Sequence, residues 1–204
     1  MNQGYVTGTL YTGMEWVTRI VYINALWIVF TLLGGVLFGF SPATAALFSI
    51  VRKWMDGEEV TALFSEFWKE YKRFFRKSQK IGLLLMAIGL LLIVDFQFFL
   101  QGNSASGWLG KMITIQLIFL YAAMLLYIFP IYIDTEQRIS VVFKKAFQLF
   151  LQAPFKTIFG LFSIMALGLL FMTVPALALL CGASAIAMWQ VFYTEKYVLK
   201  DKVT

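Results

Sequence analysis

The residues that stand out for chemistry in this 204-residue sequence are polar side chains inside long apolar runs. Asp95 is the one formally charged residue in any of these runs, and it lies in residues 81–100. Burying an ionisable group in such a helix costs about 2.5–3.5 kcal/mol, so Asp95 is a candidate site for a proton, a cation or a sugar hydroxyl. In the competing interpretation, Asp95 lies near the outer end of its helix, where it could reach hydrated headgroups or pair with Lys111.

Three uncharged polar residues, Asn24, Gln97 and Gln116, also interrupt apolar runs. We expect them to form hydrogen bonds between helices, each worth about 0.6 kcal/mol in a membrane. The alternative is that they line a polar ligand pocket together with Asp95.

The side chains that most enzymes use are scarce. The sequence has no histidine and a single cysteine, Cys181. These counts exclude imidazole ligands, histidine-activated nucleophiles and centres built from several thiolates. Glu58, Glu59 and Glu66 could serve as acids, but we interpret them as solvated helix charges. We therefore expect no enzyme, no catalytic residue, no metal site and no cofactor.

The composition indicates that the lipid bilayer is the solvent for these apolar runs. Hydrophobic residues make up 60% of the chain and charged residues 14%, against about 45–50% and about 25% in soluble domains. About 20 residues of helix cross a hydrocarbon core. We predict an all-α polytopic membrane protein forming a single membrane domain over residues 1–204, with five spans at 20–40, 81–100, 112–133, 157–173 and 176–193.

The distribution of lysine and arginine predicts the orientation. Residues 41–80, residues 134–156 and the C-terminal tail carry eight, four and three cations, and alternate segments lie on the same side of the membrane. The N-terminal segment, the loop after residue 100 and the last hairpin turn, on the other side, carry one, one and none. Because positive charge stays in the cytoplasm, we expect a plasma-membrane protein with its N-terminus outside and its C-terminus cytoplasmic. The cations lie where topology requires them, which argues against nucleic acid as a partner.

Residues 41–80 are predicted to form a cytoplasmic elbow of two helices. The second is amphipathic, with one aromatic face and a basic end. It could lie in the membrane interface, pack against the inner ends of the spans, or bind a partner protein. The candidate surface comprises Phe64, Phe67, Trp68, Tyr71, Lys72, Arg73, Phe75 and Arg76.

Residues 24–27 (NALW), 41–48 (SPATAALF) and 67–77 (FWKEYKRFFRK) resemble the YesL-like family of bacterial membrane proteins. The similarity extends over nearly the whole chain, but the distinctive motifs are in the first 80 residues. Members of that family are often encoded beside sugar-uptake ABC transporters. The resemblance therefore implies a link to carbohydrate uptake, and it implies no catalytic residue.

These observations predict a non-enzymatic protein that is accessory to a carbohydrate ABC transporter or regulates it. The chain lacks the coupling loop of importer permeases, so we do not expect it to be the permease itself. The alternative is a small solute or ion transporter, forming a homo-oligomer, with Asp95 in the path.

Overall fold

The computed structural model describes residues 3–100, 105–135 and 138–199, and the regular structure in these ranges is entirely helical. The predicted all-α fold class is therefore confirmed. A π-helical segment, Thr194–Leu199, follows seven α-helices: α1 Gln3–Leu33, α2 Leu37–Met55, α3 Leu63–Leu100, α4 Ala105–Thr135, α5 Ile139–Gln152, α6 Pro154–Thr173 and α7 Pro175–Tyr193.

Five of the described helices are long and apolar enough to cross a membrane. Large apolar side chains cover their outer surfaces; Phe155 and Met172, for example, are 85% and 79% exposed. A soluble monomer rarely shows so much apolar surface, whereas lipid covers it readily. The chain is thus a multi-pass helical membrane protein. The spans are Gly13–Leu33, Leu63–Leu100, Gly107–Ile133, Pro154–Thr173 and Pro175–Lys196.

The first span differs from its predicted boundaries of 20–40, because the apolar run is divided between two helices. α1 ends at Leu33, and a short turn with positive φ at Gly35 (73°) and Val36 (55°) leads into α2. Glycine adopts this left-handed backbone without a steric penalty. The turn has no polar residue, so hydropathy alone could not reveal it.

Helices α1 and α2 form an antiparallel hairpin. At the turn, a Cβ atom added to Gly34 would lie 2.3 Å from the Cα atom of Gly39, which shows how closely the two backbones approach. Further along, the indole of Trp27 donates a 3.1 Å hydrogen bond to the Thr44 hydroxyl. The two backbones therefore make their closest contact within the hairpin, at Gly34 and Gly39.

Helix α2 is the central element of the bundle, since it packs on α1, α3 and α7. Residues 41–51 are buried without interruption. A helix that is buried on all sides in this way belongs to a core. The sequence predicted a helix here but placed it on the cytoplasmic face, without foreseeing its burial.

Helix α3 continues for 38 residues, joining the predicted amphipathic helix to the predicted span at 81–100. Its first half runs antiparallel to α2. The Ser41 hydroxyl donates a 2.7 Å hydrogen bond to the Ser78 carbonyl, and Lys53 lies 2.9 Å from Glu70. At the same contact, a Cβ atom on Gly82 would lie 2.4 Å from that of Ser41.

The last two helices form the hairpin that the sequence predicted. α6 ends at Thr173, and α7 begins at Pro175 after the single linking residue Val174. Proline suits the first position of a helix because it has no N–H to leave unpaired there.

Candidate functional site

The side chain of Asn24 joins two helices, as predicted. It is 1% exposed, and its amide nitrogen donates a 2.7 Å hydrogen bond to the Leu179 carbonyl. Its oxygen accepts hydrogen bonds from the N–H groups of Ala183 (3.0 Å) and Ser184 (3.2 Å). In a regular α-helix the N–H of residue 183 pairs with the carbonyl of residue 179. Asn24 thus forms hydrogen bonds with both the carbonyl and the N–H of one such backbone pair in α7, which is a structural role.

Asp95 lies near the end of α3, half-buried against α4. Its carboxylate accepts a 3.1 Å hydrogen bond from the buried Thr114 hydroxyl. The predicted partner, Lys111, instead places its ammonium group 5.4 Å from the centre of the Trp108 ring. Among the described residues, no ion pair joins Asp95 to Lys111. Of the two alternatives, the pairing with Lys111 therefore does not form, and the ammonium group faces the tryptophan ring one turn away.

The two predicted glutamine positions do not join this site. Gln97 and Gln116 are both exposed on the outer surface of the bundle. The polar residues selected from the sequence are therefore dispersed, and they do not form one pocket.

The aromatic part of the predicted elbow surface is divided between core and exterior. Phe67 is fully buried and Tyr71 is 5% exposed. Both rings pack on Phe30 of α1, with centroid distances of 5.1 and 5.0 Å. The Tyr71 hydroxyl also donates to the Phe30 carbonyl, at 3.2 Å. These two residues pack α3 against α1, so they are not available to a partner.

The remaining predicted residues of this segment are exposed or half-buried, although the rings of Phe64 and Trp68 also contact Phe30, with centroids 6.0 and 5.4 Å apart. Phe64 is 55% exposed and Trp68 is 42% exposed, and the Lys72 ammonium lies 4.9 Å from the centre of a Trp68 ring. Arg73 and Arg76 are exposed and Phe75 is half-buried. We refer to Phe64, Trp68 and Lys72 as the exposed aromatic patch.

A charged network fixes this part of α3 to α2. Glu70 is 1% exposed and forms ion pairs with Lys53 (2.9 Å) and Arg73 (3.1 Å). Lys53 also lies 2.5 Å from Glu66. Burial by itself lowers the pKa of Lys53, but its hydrogen bonds to the two glutamates and their charges outweigh burial and raise that pKa. Lys53 therefore stays charged, and Glu70 keeps a partner.

A cavity of about 630 Å³ lies among α1, α2, α3, α4, α6 and α7. Most of its lining is apolar, and its size suits a small molecule. Two polar groups in its wall are already satisfied: Thr44 accepts from Trp27, and the Tyr121 hydroxyl donates a 2.9 Å hydrogen bond to the Leu85 carbonyl.

Gln190 is the polar side chain in this wall whose hydrogen bonds are unmet. It is 8% exposed, and its amide has no hydrogen-bond partner within the described residues. The cavity can hold a mainly apolar molecule and offer it this amide. Gln190 was not among the residues predicted from the sequence, although a glutamine near the end of an apolar run was a visible signal. Asp95, which was among them, does not line this cavity.

Metal ligands are not gathered anywhere in the described ranges, where no three His, Cys, Asp or Glu residues lie close enough to hold an ion.

Comparison with known proteins finds one matching family and several relatives. Residues 20–96 match the family described as "Protein of unknown function, DUF624". The uncharacterised proteins YesV and YteU of Bacillus subtilis (strain 168) are 40% and 38% identical over 134 and 138 residues. These stretches cover 64% and 67% of this chain, but 63% and 62% of the relatives, which is less than two thirds of either. No solved structure matches the chain.

The uncharacterised protein YesL of the same organism is 35% identical over 143 residues, which are 70% of this chain and 67% of YesL. With the helical architecture and this coverage, the chain belongs to the YesL-like DUF624 family of membrane proteins.

Proposed function

We propose that this protein is a non-enzymatic accessory subunit of a carbohydrate ABC transporter, which it binds and regulates through the exposed aromatic patch on the cytoplasmic side of the plasma membrane. The observation that carries the proposal is the exposure of Phe64 and Trp68 beside Lys72, while neighbouring aromatic rings of the same helix are buried. Aromatic residues such as phenylalanine and tryptophan are enriched at protein interfaces.

The rigidity of the patch supports a binding role. Glu70 on the buried face of α3 is held by Lys53 of α2, and Phe67 and Tyr71 are held by Phe30. The exposed side chains are therefore presented from a fixed helix, which lowers the entropy lost on binding.

The cytoplasmic location of the patch is supported by charge. Residues 41–80, which include the first half of α3, contain eight lysines and arginines, and segments of this kind remain in the cytoplasm. The partner surface must then belong to the cytoplasmic part of a permease or to its ATPase subunit.

Affinity purification in mild detergent tests the proposal. The tagged chain is purified from native membranes, and co-purifying proteins are quantified by mass spectrometry. We expect stoichiometric recovery of a sugar permease or ATPase subunit with the wild type, and loss of that subunit with the Phe64→Ala/Trp68→Ala variant. A matched control, Phe98→Ala/Trp108→Ala, changes the same residue types on exposed positions elsewhere, and should retain it.

The opposite result is equally clear. Recovery of this chain alone, or as a defined homo-oligomer, contradicts the accessory role and favours the alternative of a small solute or ion transporter. Flux measurements on the wild type and on Asp95→Asn then test whether Asp95 lies in the path. At present the alternative has less support, because Asp95 does not line the 630 Å³ cavity.

A further inference from the structure

The 630 Å³ cavity among the helices has an uncharged wall. None of the described residues that line it is an aspartate, glutamate, lysine or arginine. Six are aromatic: Trp27, Phe40, Phe48, Tyr121, Phe129 and Phe171. Moving an ion from water into such surroundings without a partner is very unfavourable. The wall therefore selects a neutral and mainly apolar molecule.

The cavity is elongated along α7. Its wall includes both Ala178 and Gln190, which are twelve positions apart in that helix. This separation corresponds to about 18 Å at helical rise, and it greatly exceeds the width of a sphere with the volume of the cavity. The space therefore suits an extended chain better than a compact molecule.

The cavity reaches the outer surface of the bundle on one side. Phe40, near the start of α2, and Met86 of α3 both line it, and they are 38% and 37% exposed. Met86 belongs to the span Leu63–Leu100, within its apolar run. Because lipid covers the outer surface of the spans, a molecule reaches this opening from the bilayer. A group that passes through it must be small and uncharged.

Gln190 gives the cavity one polar end. The side chain is 8% exposed and forms part of the wall, and no described residue forms a hydrogen bond with its amide. A buried amide without a partner is destabilising, and the interior of a bilayer supplies no water to replace one. The Thr44 and Tyr121 hydroxyls in the same wall already have partners. Gln190 is thus where a ligand oxygen would be held.

The depth of Gln190 matches the polar end of a lipid. It is six residues before the end of the span Pro175–Lys196. Its neighbours Trp189 and Tyr193 stack with centroids 4.7 Å apart, and tryptophan and tyrosine concentrate at the membrane interface. Ala178 lies near the other end of the span. We propose that the cavity binds a neutral single-chain lipid, which enters from the bilayer and pairs its terminal hydroxyl or carbonyl oxygen with the Gln190 amide.

This site is independent of the proposed transporter role, because no residue of the exposed aromatic patch lines the cavity. Binding can be measured on the purified full chain in detergent by gel filtration, with the co-eluting lipid quantified by mass spectrometry. The probes are hexadecanol, hexadecane, which lacks the oxygen, and hexadecanoate, which is charged. We expect hexadecanol to be retained more strongly than either of the others.

Gly182→Leu fills the cavity and should abolish retention of hexadecanol. A Cβ atom added to Gly182 meets only the Cβ atom of Ala178, at 3.8 Å, so the backbone there accepts a side chain. Gly168→Leu is the matched control, since the space around its added Cβ atom is open within 4 Å and it does not line the cavity. It should bind like the wild type. Equal retention by the two variants would show non-specific partitioning and overturn the proposal.

Gln190→Leu tests the polar end separately. The amide has no partner among the described residues, so the fold should survive its loss. We expect retention of hexadecanol to fall about tenfold, on the scale of one hydrogen bond, to the level of hexadecane. An unchanged preference for hexadecanol over hexadecane in this variant would overturn the pairing with Gln190. Stronger retention of hexadecanoate by the wild type would overturn the assignment to a neutral lipid.

Discussion

The side-chain amide of Asn24 donates a 2.7 Å hydrogen bond to the backbone carbonyl of Leu179, a residue 155 positions later in the chain. This contact joins α1 to α7 at a point where both helices are apolar. Because neither water nor lipid offers a replacement partner there, the bond helps to fix which faces of the two helices meet.

Replacing Asn24 should therefore destabilise the bundle. Asn24→Leu removes one donated and two accepted hydrogen bonds, and we expect a loss of about 1–2 kcal/mol in the free energy of unfolding. A lower midpoint of thermal unfolding in detergent would show this loss. Gln116→Leu is the matched control, since Gln116 is exposed, and its midpoint should stay near that of the wild type. An unchanged midpoint for Asn24→Leu would contradict the structural role.

Among the described carboxylates, Glu70 should be the one whose replacement destabilises the protein most. Glu70→Ala removes the buried partner of Lys53 and Arg73. Breaking a buried ion pair in this way costs about 3–5 kcal/mol, and we expect the lower end because both cations reach water. Denaturant or thermal unfolding of the purified protein would show the effect. Glu59→Ala, at an exposed position, provides the comparison. Equal stability of the two variants would show that the network contributes nothing measurable.

Gly82 should not tolerate a methyl group. Its added Cβ atom would lie 2.4 Å from that of Ser41, so Gly82→Ala must push α2 away from α3, at a cost of about 1–3 kcal/mol. Gly168→Ala is the natural comparison, because the space around its added Cβ atom is open within 4 Å. In a helix, alanine is otherwise favoured over glycine by about 1 kcal/mol, so Gly168→Ala should be neutral or stabilising. If both variants lost the same stability, the close packing of α2 on α3 would be refuted.

The contacts of α2 also predict the orientation of two helices. Trp16, near the start of the first span, packs edge-to-face on Trp54 with centroids 5.7 Å apart, and Arg52 pairs with Glu195 at the end of the last span. Both span ends therefore lie at the same end of α2. We predict that the start of α1 and the end of α7 are on the same side of the membrane, whereas the lysine and arginine distribution predicted opposite sides.

Cysteine accessibility measures this directly. Single cysteines at Gly13 and Lys196, in a Cys181→Ser background, are labelled in intact cells with a reagent that does not cross the membrane. We expect the same result, protected or labelled, at both positions. A third cysteine in residues 101–104 should give the opposite result. Labelling of position 13 with protection of position 196 would support the orientation that charge alone predicts.

Much of the fold was predictable because hydropathy and proline have strong local effects. The α6–α7 hairpin followed from an apolar stretch too long for one crossing and from Pro175 near its middle. The end of α1 was not predictable in this way. Leu33, Val36 and Leu37 are all apolar, and the turn depends on the backbone of Gly35, which hydropathy does not register.

The candidate site was harder to predict, because hydrogen-bond satisfaction depends on which helices become neighbours. Asn24 and Gln190 are both amides in apolar runs, yet one is satisfied by α7 and the other faces a cavity. Phe67, Trp68 and Tyr71 all contact Phe30, which lies 37 positions before Phe67, yet only Trp68 of the three stays exposed. Sequence periodicity identified an aromatic face but could not identify what it contacts.

The unbroken course of α3 has a mechanical consequence. Its 38 residues make a rod about 57 Å long, with the exposed aromatic patch at one end and Asp95 towards the other. A rod of this kind can curve, but it has no hinge within it. A partner that tilted the patch end by about 5° would displace the far end by about 5 Å, given that length. The helix is thus a lever through which an event at the exposed aromatic patch would displace the end that carries Asp95.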